Sequence, residues 1–213
     1  MNDDKMQVGE YGALLRTVMS AIPVLSPLAT AWSEFESSKN EKRLKLFIDS
    51  LKAITSVHSK EIDAIKNDSS KIEERVTLLE VTLDKVVKEW QPEKVNLHAQ
   101  LFVGNMISDD PIQLKMSILE RFSELSIDDL NILAKLTTDS SIQVSELNGS
   151  LNELIPVLSK LESRGLITQT GPGSRSFFTT ASSSDNWQIQ WKNKFYTATP
   201  LGTQLWTALN KIK

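Results

Sequence analysis

The sequence predicts a mainly α-helical protein in which a helical bundle precedes a smaller domain with a short antiparallel β-hairpin. Two observations predict this fold class. Apolar residues recur at spacings of three and four over most of residues 37–125, which is typical of amphipathic helices. In residues 166–197 a strand begins at Leu166, a Gly-Pro-Gly turn follows at residues 171–173, and apolar and polar residues alternate over residues 187–196, which together are typical of a hairpin.

The least polar part of the chain is residues 11–32, where Arg16 is the only charged residue. Pro23 and Pro27 interrupt it, so it falls short of the roughly 20 unbroken apolar residues that a membrane-spanning helix needs. We predict two short apolar helices in residues 1–36 that pack on the bundle. The alternative is an interfacial or pore-forming role at a membrane. We recognise no targeting sequence and expect a cytoplasmic protein that does not bind membranes.

Residues 37–125 are predicted to form the bundle. A long amphipathic helix covers residues 40–66, a polar turn follows at residues 67–70, and a heptad pattern covers residues 72–90. This order predicts an antiparallel pair of helices, which either closes within one chain or pairs with a second chain as a coiled coil. The apolar positions of the heptad pattern are Ile72, Val76, Leu79, Leu83, Val86 and Trp90.

Two further helices complete the predicted bundle. Pro92 opens the first of them, and Asp110 caps the second, with Pro111 at its first position. The buried side of the first helix is predicted to carry Val95, Ala99, Phe102 and Met106. The buried side of the second is predicted to carry Ile112, Met116, Leu119 and Phe122.

Residues 126–213 are predicted to form a separate domain in the order helix, short helix, helix, hairpin, helix. Ser126 caps its first helix, and Gly165 ends the third helical element in a left-handed conformation. Pro156 is predicted within the first turn of that element, where a proline is tolerated. The second strand of the hairpin is predicted at residues 187–196, with Trp187 and Trp191 packing a small sheet. A final helix begins after a Thr199 cap.

The segments on either side of the hairpin resemble a known family. Residues 161–167 (Leu-Glu-Ser-Arg-Gly-Leu-Ile) resemble the junction between recognition helix and wing in MarR- and PadR-type regulators. Residues 196–202 (Tyr-Thr-Ala-Thr-Pro-Leu-Gly) resemble the return from the wing in the same group. The resemblance implies a winged helix-turn-helix and a DNA-binding transcriptional regulator, which we expect to be a homodimer. Residues 1–125 resemble the helical halves of uncharacterised bacterial or prophage-type proteins.

Such a domain would read base edges with its recognition helix and contact phosphates with its wing. The predicted contacts to double-stranded DNA are Asn152, Ser159, Lys160, Arg164, Arg175, Lys192 and Lys194. The recognition helix, predicted over residues 152–164, nevertheless carries few cations, and Glu153 lies near its positive end. Winged helices also dock proteins, so a protein–protein adaptor of phage or stress-response type is the alternative function. A membrane-active helical bundle is a third possible function.

Composition and charge narrow the classes of function. The chain has no cysteine, which excludes disulfides, thiolate metal sites and cysteine nucleophiles. Neither His58 nor His98 is assigned to a metal, and we predict no cofactor. Because phosphate loops, GxSxG elbows and paired-histidine helices are missing, we predict no catalytic residues and no enzyme activity. Residues 1–140 carry a net charge of −6 and residues 141–213 a net charge of +3. The excess of basic residues in residues 141–213 either serves to bind an anionic partner or arises by chance.

Overall fold

The computed structural model describes residues 41–58, 60–62, 71–138, 141–170 and 186–210. The predicted apolar helices of residues 1–36 and the predicted turn of residues 67–70 lie outside the described residues. The chain divides into two compact units. The first unit comprises residues 1–119 and 208–213, and the second comprises residues 120–207.

The helices of the first unit follow the predicted order. They are α1 (Glu41–Val57), α2 (Ile72–Lys88), α3 (Pro92–Met106) and α4 (Ile112–Glu124), the last of which continues into the second unit. α3 lies at the centre, packed on α1 and α2, and the rings of Phe47 and Phe102 are 6.5 Å apart between centroids. The predicted stripe of α3 is buried in full, as Val95, Ala99, Phe102 and Met106. On α4, Leu119 and Phe122 are buried, whereas Ile112 and Met116 are half-buried.

α1 and α2 are antiparallel, as the sequence predicts. The Arg43 guanidinium at the start of α1 donates a hydrogen bond of 2.6 Å to the Val87 carbonyl at the end of α2. Leu79 and Leu83 are buried in the apolar core of this single chain. Of the helix predicted over residues 40–66, the described part runs to Val57, bends at His58 and is helical again at residues 60–62.

The heptad pattern ends before Trp90, so the prediction of Trp90 as a seam residue is wrong. α2 stops at Lys88, and the Glu89 carboxylate accepts the backbone N–H groups of Trp90 and Gln91 at 2.9 and 3.1 Å. Glu89 also pairs with Lys94 at 2.8 Å. These bonds satisfy two backbone donors in the turn that precedes α3, and the Trp90 side chain is 75% exposed.

The second unit combines short helices with a small sheet. In chain order its elements are α5 (Ile127–Thr138), β1 (Ile142–Gln143), a 3₁₀ turn (Val144–Glu146), α6 (Leu151–Ser163), β2 (Ile167–Thr170), α7 (Asn186–Lys192), β3 (Phe195–Ala198) and α8 (Pro200–Asn210). The three strands form an antiparallel sheet in the order β1-β3-β2. Tyr196 of the central strand is buried and pairs with Ile142 on one side and Gln169 on the other.

The capping residues predicted for this unit are confirmed. Ser126 and Asp129 bond reciprocally, each side chain meeting the other's backbone N–H. The Thr199 hydroxyl accepts the Gly202 N–H at 3.1 Å at the start of α8. Gly165 follows α6 with a φ of 68°, the left-handed conformation that glycine adopts without strain.

The long second strand predicted for the hairpin is wrong over most of its length. Residues 186–192 form the helix α7, and β3 begins only at Phe195. Within the described residues, the pairing of β1 and β2 with β3 covers residues 195–198. Residues 186–192 instead pair backbone N–H and C=O groups with one another within α7.

Candidate interaction site of the second unit

α6 corresponds to the predicted recognition helix, and a carboxylate occupies its positive end. Glu153 accepts hydrogen bonds from the Ser150 backbone N–H at 2.8 Å and from the Ser150 hydroxyl at 2.9 Å. These bonds lower the pKa of the Glu153 carboxyl. Glu153 is therefore ionised at neutral pH at the helix end where an anionic ligand would otherwise be favoured.

The outer side of α6 is an uncharged stripe. It consists of Asn152, Pro156, Ser159 and Ser163, all exposed and all spaced to share one face of the helix. The opposite side carries Leu154, Leu158 and Leu161, which are buried. Two of the predicted DNA contacts, Asn152 and Ser159, therefore lie on this outer stripe.

Pro156 lies deeper in α6 than the sequence predicts. The helix begins at Leu151, so Pro156 is its sixth residue and lies in the second turn, and the first-turn prediction is wrong. Proline has no backbone N–H, so the Asn152 carbonyl lacks the donor that the residue four positions later normally supplies. A helix tolerates this missing hydrogen bond at an exposed position, where water or a ligand can donate to the carbonyl oxygen instead.

The two predicted cations of α6 are both held by carboxylates. The Lys160 ammonium lies 2.6 Å from Asp129, which is only 3% exposed and also accepts the Ser126 N–H. The Arg164 guanidinium lies 2.8 Å from the Glu124 carboxylate, and the Arg164 carbonyl accepts a hydrogen bond from Arg121. Neither cation thus presents an uncompensated positive charge beside the outer stripe.

Of the predicted wing cations, Lys192 and Lys194 lie in different surroundings. The Lys194 ammonium lies over the Trp191 ring, 3.6 Å from its centroid, and burial lowers the pKa of Lys194. Lys192 is exposed at the end of α7. Arg175 lies outside the described residues. Of the predicted set, the structure brings together Asn152 and Lys192, which line one groove.

That groove, which we call the α6–α7 groove, has a volume of about 450 Å³. Its polar lining comprises Ser145, Ser150, Asn152, Gln188 and Lys192, and its apolar lining comprises Val144, Leu147, Leu151, Leu154 and Trp187, with Gly149 between them. Trp187 was predicted as packing for the sheet. It is instead 40% exposed on α7, at the wall of this groove.

Sequence reasoning missed the carboxylates that hold these cations. From the sequence we predict the adjacent pair Asp128 and Asp129 to be surface charges, because neighbouring residues of a helix point to different faces. In the structure, Asp129 is instead buried and paired. The same prediction applies to the adjacent pair Glu73 and Glu74. Glu74 instead binds the buried Lys115 ammonium at 2.6 Å in the first unit. The spacing of three between Ser126 and Asp129 is the one local signal, because it predicts a reciprocal cap that draws the carboxylate inward.

The net charge of the second unit differs in sign from that of residues 141–213. Residues 120–207 contain nine acidic and seven basic side chains, a net charge of −2. The positive balance predicted for the C-terminal region therefore does not extend to the compact unit as a whole.

The described residues hold no group of three or more His, Asp or Glu side chains that could bind a metal ion. Among the described helices none is both long and apolar enough to cross a membrane. Comparisons of the chain with protein-family models, with curated proteins and with solved structures gave no match.

Proposed function

We propose that residues 120–207 form a winged-helix module of a non-enzymatic regulator, and that this module docks a protein partner through the outer stripe of α6. The element order supports the winged helix. A helix, a strand, a short helical turn, a second helix and a second strand follow in sequence; after α7 comes the third strand, which lies at the centre of the sheet.

The observation that carries the docking proposal is the electrostatics of α6. Its outer stripe has no charged residue, its two cations are paired with Asp129 and Glu124, and its positive end holds Glu153. The commonest specific contact of a DNA-reading helix is an arginine or lysine directed at a guanine edge, and further cations bind phosphates. Small polar residues such as Ser159 and Ser163 instead allow another protein to approach the helix closely.

The test compares DNA with protein as the ligand of the full chain. We expect titration with a labelled 30-base-pair duplex at 50 mM salt to give no saturable change in anisotropy. A photo-crosslinking amino acid at position 159 should give a covalent protein adduct in cells that naturally express the chain. The same group at Thr168, exposed on β2, is the matched control and should give none.

Two results would contradict the docking proposal. One is crosslinking from position 159 to nucleic acid, and the other is a protein adduct that persists unchanged when Ser163→Arg places a bulky cation on the same stripe. Loss of the adduct in Ser163→Arg, in a protein with an unchanged circular dichroism spectrum, would support it.

DNA binding is the second candidate, favoured by the element order and by exposed Lys192 beside Asn152. In that case affinity would fall steeply with salt, with a log–log slope of about −0.9 per neutralised phosphate. Replacing both Lys192 and Lys194 with alanine would then flatten the slope. An unchanged slope in the double variant would show that Lys192 and Lys194 do not contact DNA phosphates.

A further inference from the structure

The α6–α7 groove has an apolar floor that a ligand can reach. Val144, Leu147 and Leu154 are buried beneath it, and the Trp187 side chain is 40% exposed at its wall. A volume of about 450 Å³ is within the range of pockets that bind ligands. An apolar side chain of a ligand would therefore be removed from water by entering the groove, which favours its binding there.

The charge of the lining is positive. Of the described residues that line the groove, Lys192 alone carries an ionisable side chain. Lys192 is exposed, and it forms no ion pair with a carboxylate in the part of the chain that the structure describes. The two cations of α6 are by contrast held by carboxylates of the same unit. Lys192 is therefore available to a carboxylate of a ligand.

Uncharged polar groups of the lining are available as well. The Ser145 hydroxyl and the side-chain amides of Asn152 and Gln188 are exposed and make no hydrogen bond with another described residue. They can donate to and accept from the backbone of a bound peptide. Asn152 also belongs to the outer stripe of α6, so the groove is continuous with the proposed docking surface.

We infer that the α6–α7 groove binds a segment of the protein partner in which an apolar side chain lies beside an aspartate or glutamate. The apolar side chain packs on the floor of the groove, and the carboxylate pairs with Lys192. The inference rests on the proposed docking function and names the chemistry of the partner.

The carboxylate belongs at Lys192 and not at the start of α6, because Glu153 already accepts the Ser150 N–H at that end of the helix. Residues 120–207 carry a net charge of −2, which opposes an anion at long range. The pair with Lys192 is therefore a local contact, and most of the affinity should come from the apolar side chain.

The experiment selects ligands from random peptide sequences. A display library of 12-residue peptides is panned on the full-length protein, and the dissociation constants of enriched peptides are measured by fluorescence anisotropy. We expect enriched peptides to contain aspartate or glutamate beside leucine or an aromatic residue. Enrichment of cationic or uncharged peptides, or of none, would overturn the inference.

Substitutions with matched controls test both contacts. Trp187→Ala should weaken binding about tenfold, since it removes one wall of the groove, whereas Trp90→Ala removes an exposed indole of the first unit and should have no effect. Lys192→Met should weaken binding about threefold, the size typical of an exposed ion pair. Lys42→Met makes the same change of net charge at an exposed position of α1 and should not. Equal weakening by a variant and its control would overturn the inference.

A double-mutant cycle tests whether the carboxylate contacts Lys192. Replacing the acidic residue of an enriched peptide with its amide should weaken binding to the wild type about threefold. The same replacement should not affect binding to Lys192→Met, because that variant already lacks the ion pair. Equal losses on the two proteins would show that the carboxylate binds elsewhere and would overturn the inference.

The outcomes separate this inference from the proposed function. Peptides whose binding is lost with Ser159→Arg but is insensitive to Trp187→Ala and Lys192→Met would support docking on the outer stripe and contradict binding in the groove. Salt-dependent binding of duplex DNA with no peptide enrichment would contradict both.

Discussion

His98 is fully buried in the first unit, and its surroundings keep it uncharged. Burial lowers its pKa from 6.5 to about 3, with a smaller contribution from the Lys94 ammonium that the Glu89 carboxylate partly opposes. In the unfolded chain His98 takes up a proton as the pH falls below 6.5, while in the folded chain it remains neutral. Protonation therefore favours unfolding, and stability is lost as the pH falls from 6.5 towards 3.

We expect His98→Gln to remove part of this acid sensitivity. Between pH 6.5 and pH 5, His98 should cost the wild type about 2 kcal/mol of stability, because each pKa unit corresponds to about 1.4 kcal/mol. The variant should lack that loss, which urea unfolding at the two pH values would measure. Identical pH dependence in wild type and variant would mean that His98 takes up its proton in the folded state.

Protonation of Glu89 should also lower the stability of the fold, but at a lower pH than His98. Burial raises the pKa of its carboxyl, but the bond from Lys94 and the N–H groups of Gln91 and Trp90 outweigh burial and lower it overall. The stability that the ionised carboxylate contributes is therefore present above its ordinary pKa of 4.5 and is lost as the pH falls below it. Measurements of His98 above pH 5 avoid this second transition.

Among the elements, α8 packs closely against the backbone of a neighbouring segment at Gly202. A Cβ atom at Gly202 would lie 2.1 Å from the Leu166 carbonyl oxygen, and that oxygen belongs to rigid backbone at the start of β2. Glycine at this position allows the helix to pack directly against the chain entering the sheet.

We expect Gly202→Ala to destabilise the protein by about 3 kcal/mol, because the added methyl group forces backbone apart in a packed region. The control is Gly165→Asn, at a position with open space around it and a left-handed conformation that asparagine tolerates. It should cost less than about 1 kcal/mol. Thermal melts of both variants would measure the difference, and equal losses would show that α8 can move away from Leu166.

The accuracy of the sequence predictions also depends on the element. α3 and α5 are predicted closely because a cap such as Ser126, a proline at the first turn and an apolar stripe are all local signals. α7 is predicted as a strand because the alternation over residues 187–191 fits a strand, whereas the pairing of β3 with β1 and β2, which begins at Phe195, is non-local. The pairing of Arg164 with Glu124 and of Lys160 with Asp129 is non-local in the same way, so the cations of the site could be predicted but their neutralisation could not.

At the scale of the whole molecule, the oligomeric state depends on whether the apolar face of α2 packs within one chain or against a second chain. Leu83 is buried within one chain, which favours the closed bundle over an intermolecular seam. The expected homodimer would then form through other surfaces.

We expect Leu83→Ala to lower the free energy of unfolding by about 2–5 kcal/mol, the range for truncation of a buried leucine. If the bundle closes within one chain, the loss should be the same at every protein concentration. A seam between chains would make it concentration-dependent, because dissociation and unfolding would be linked by mass action. Melting curves with sedimentation over a hundredfold concentration range distinguish the two, and a folded variant that changes from dimer to monomer would contradict the closed bundle.

The proline in α6 also gives the helix a spectroscopic reporter. Since Pro156 donates no hydrogen bond, the Asn152 carbonyl can be bound by water when the outer stripe is free and by a partner's donor when it is covered. Isotopic labelling of that single carbonyl would separate its infrared stretching band from the rest of the backbone. Its frequency would then report whether a ligand occupies this face of α6, without any substitution in the protein.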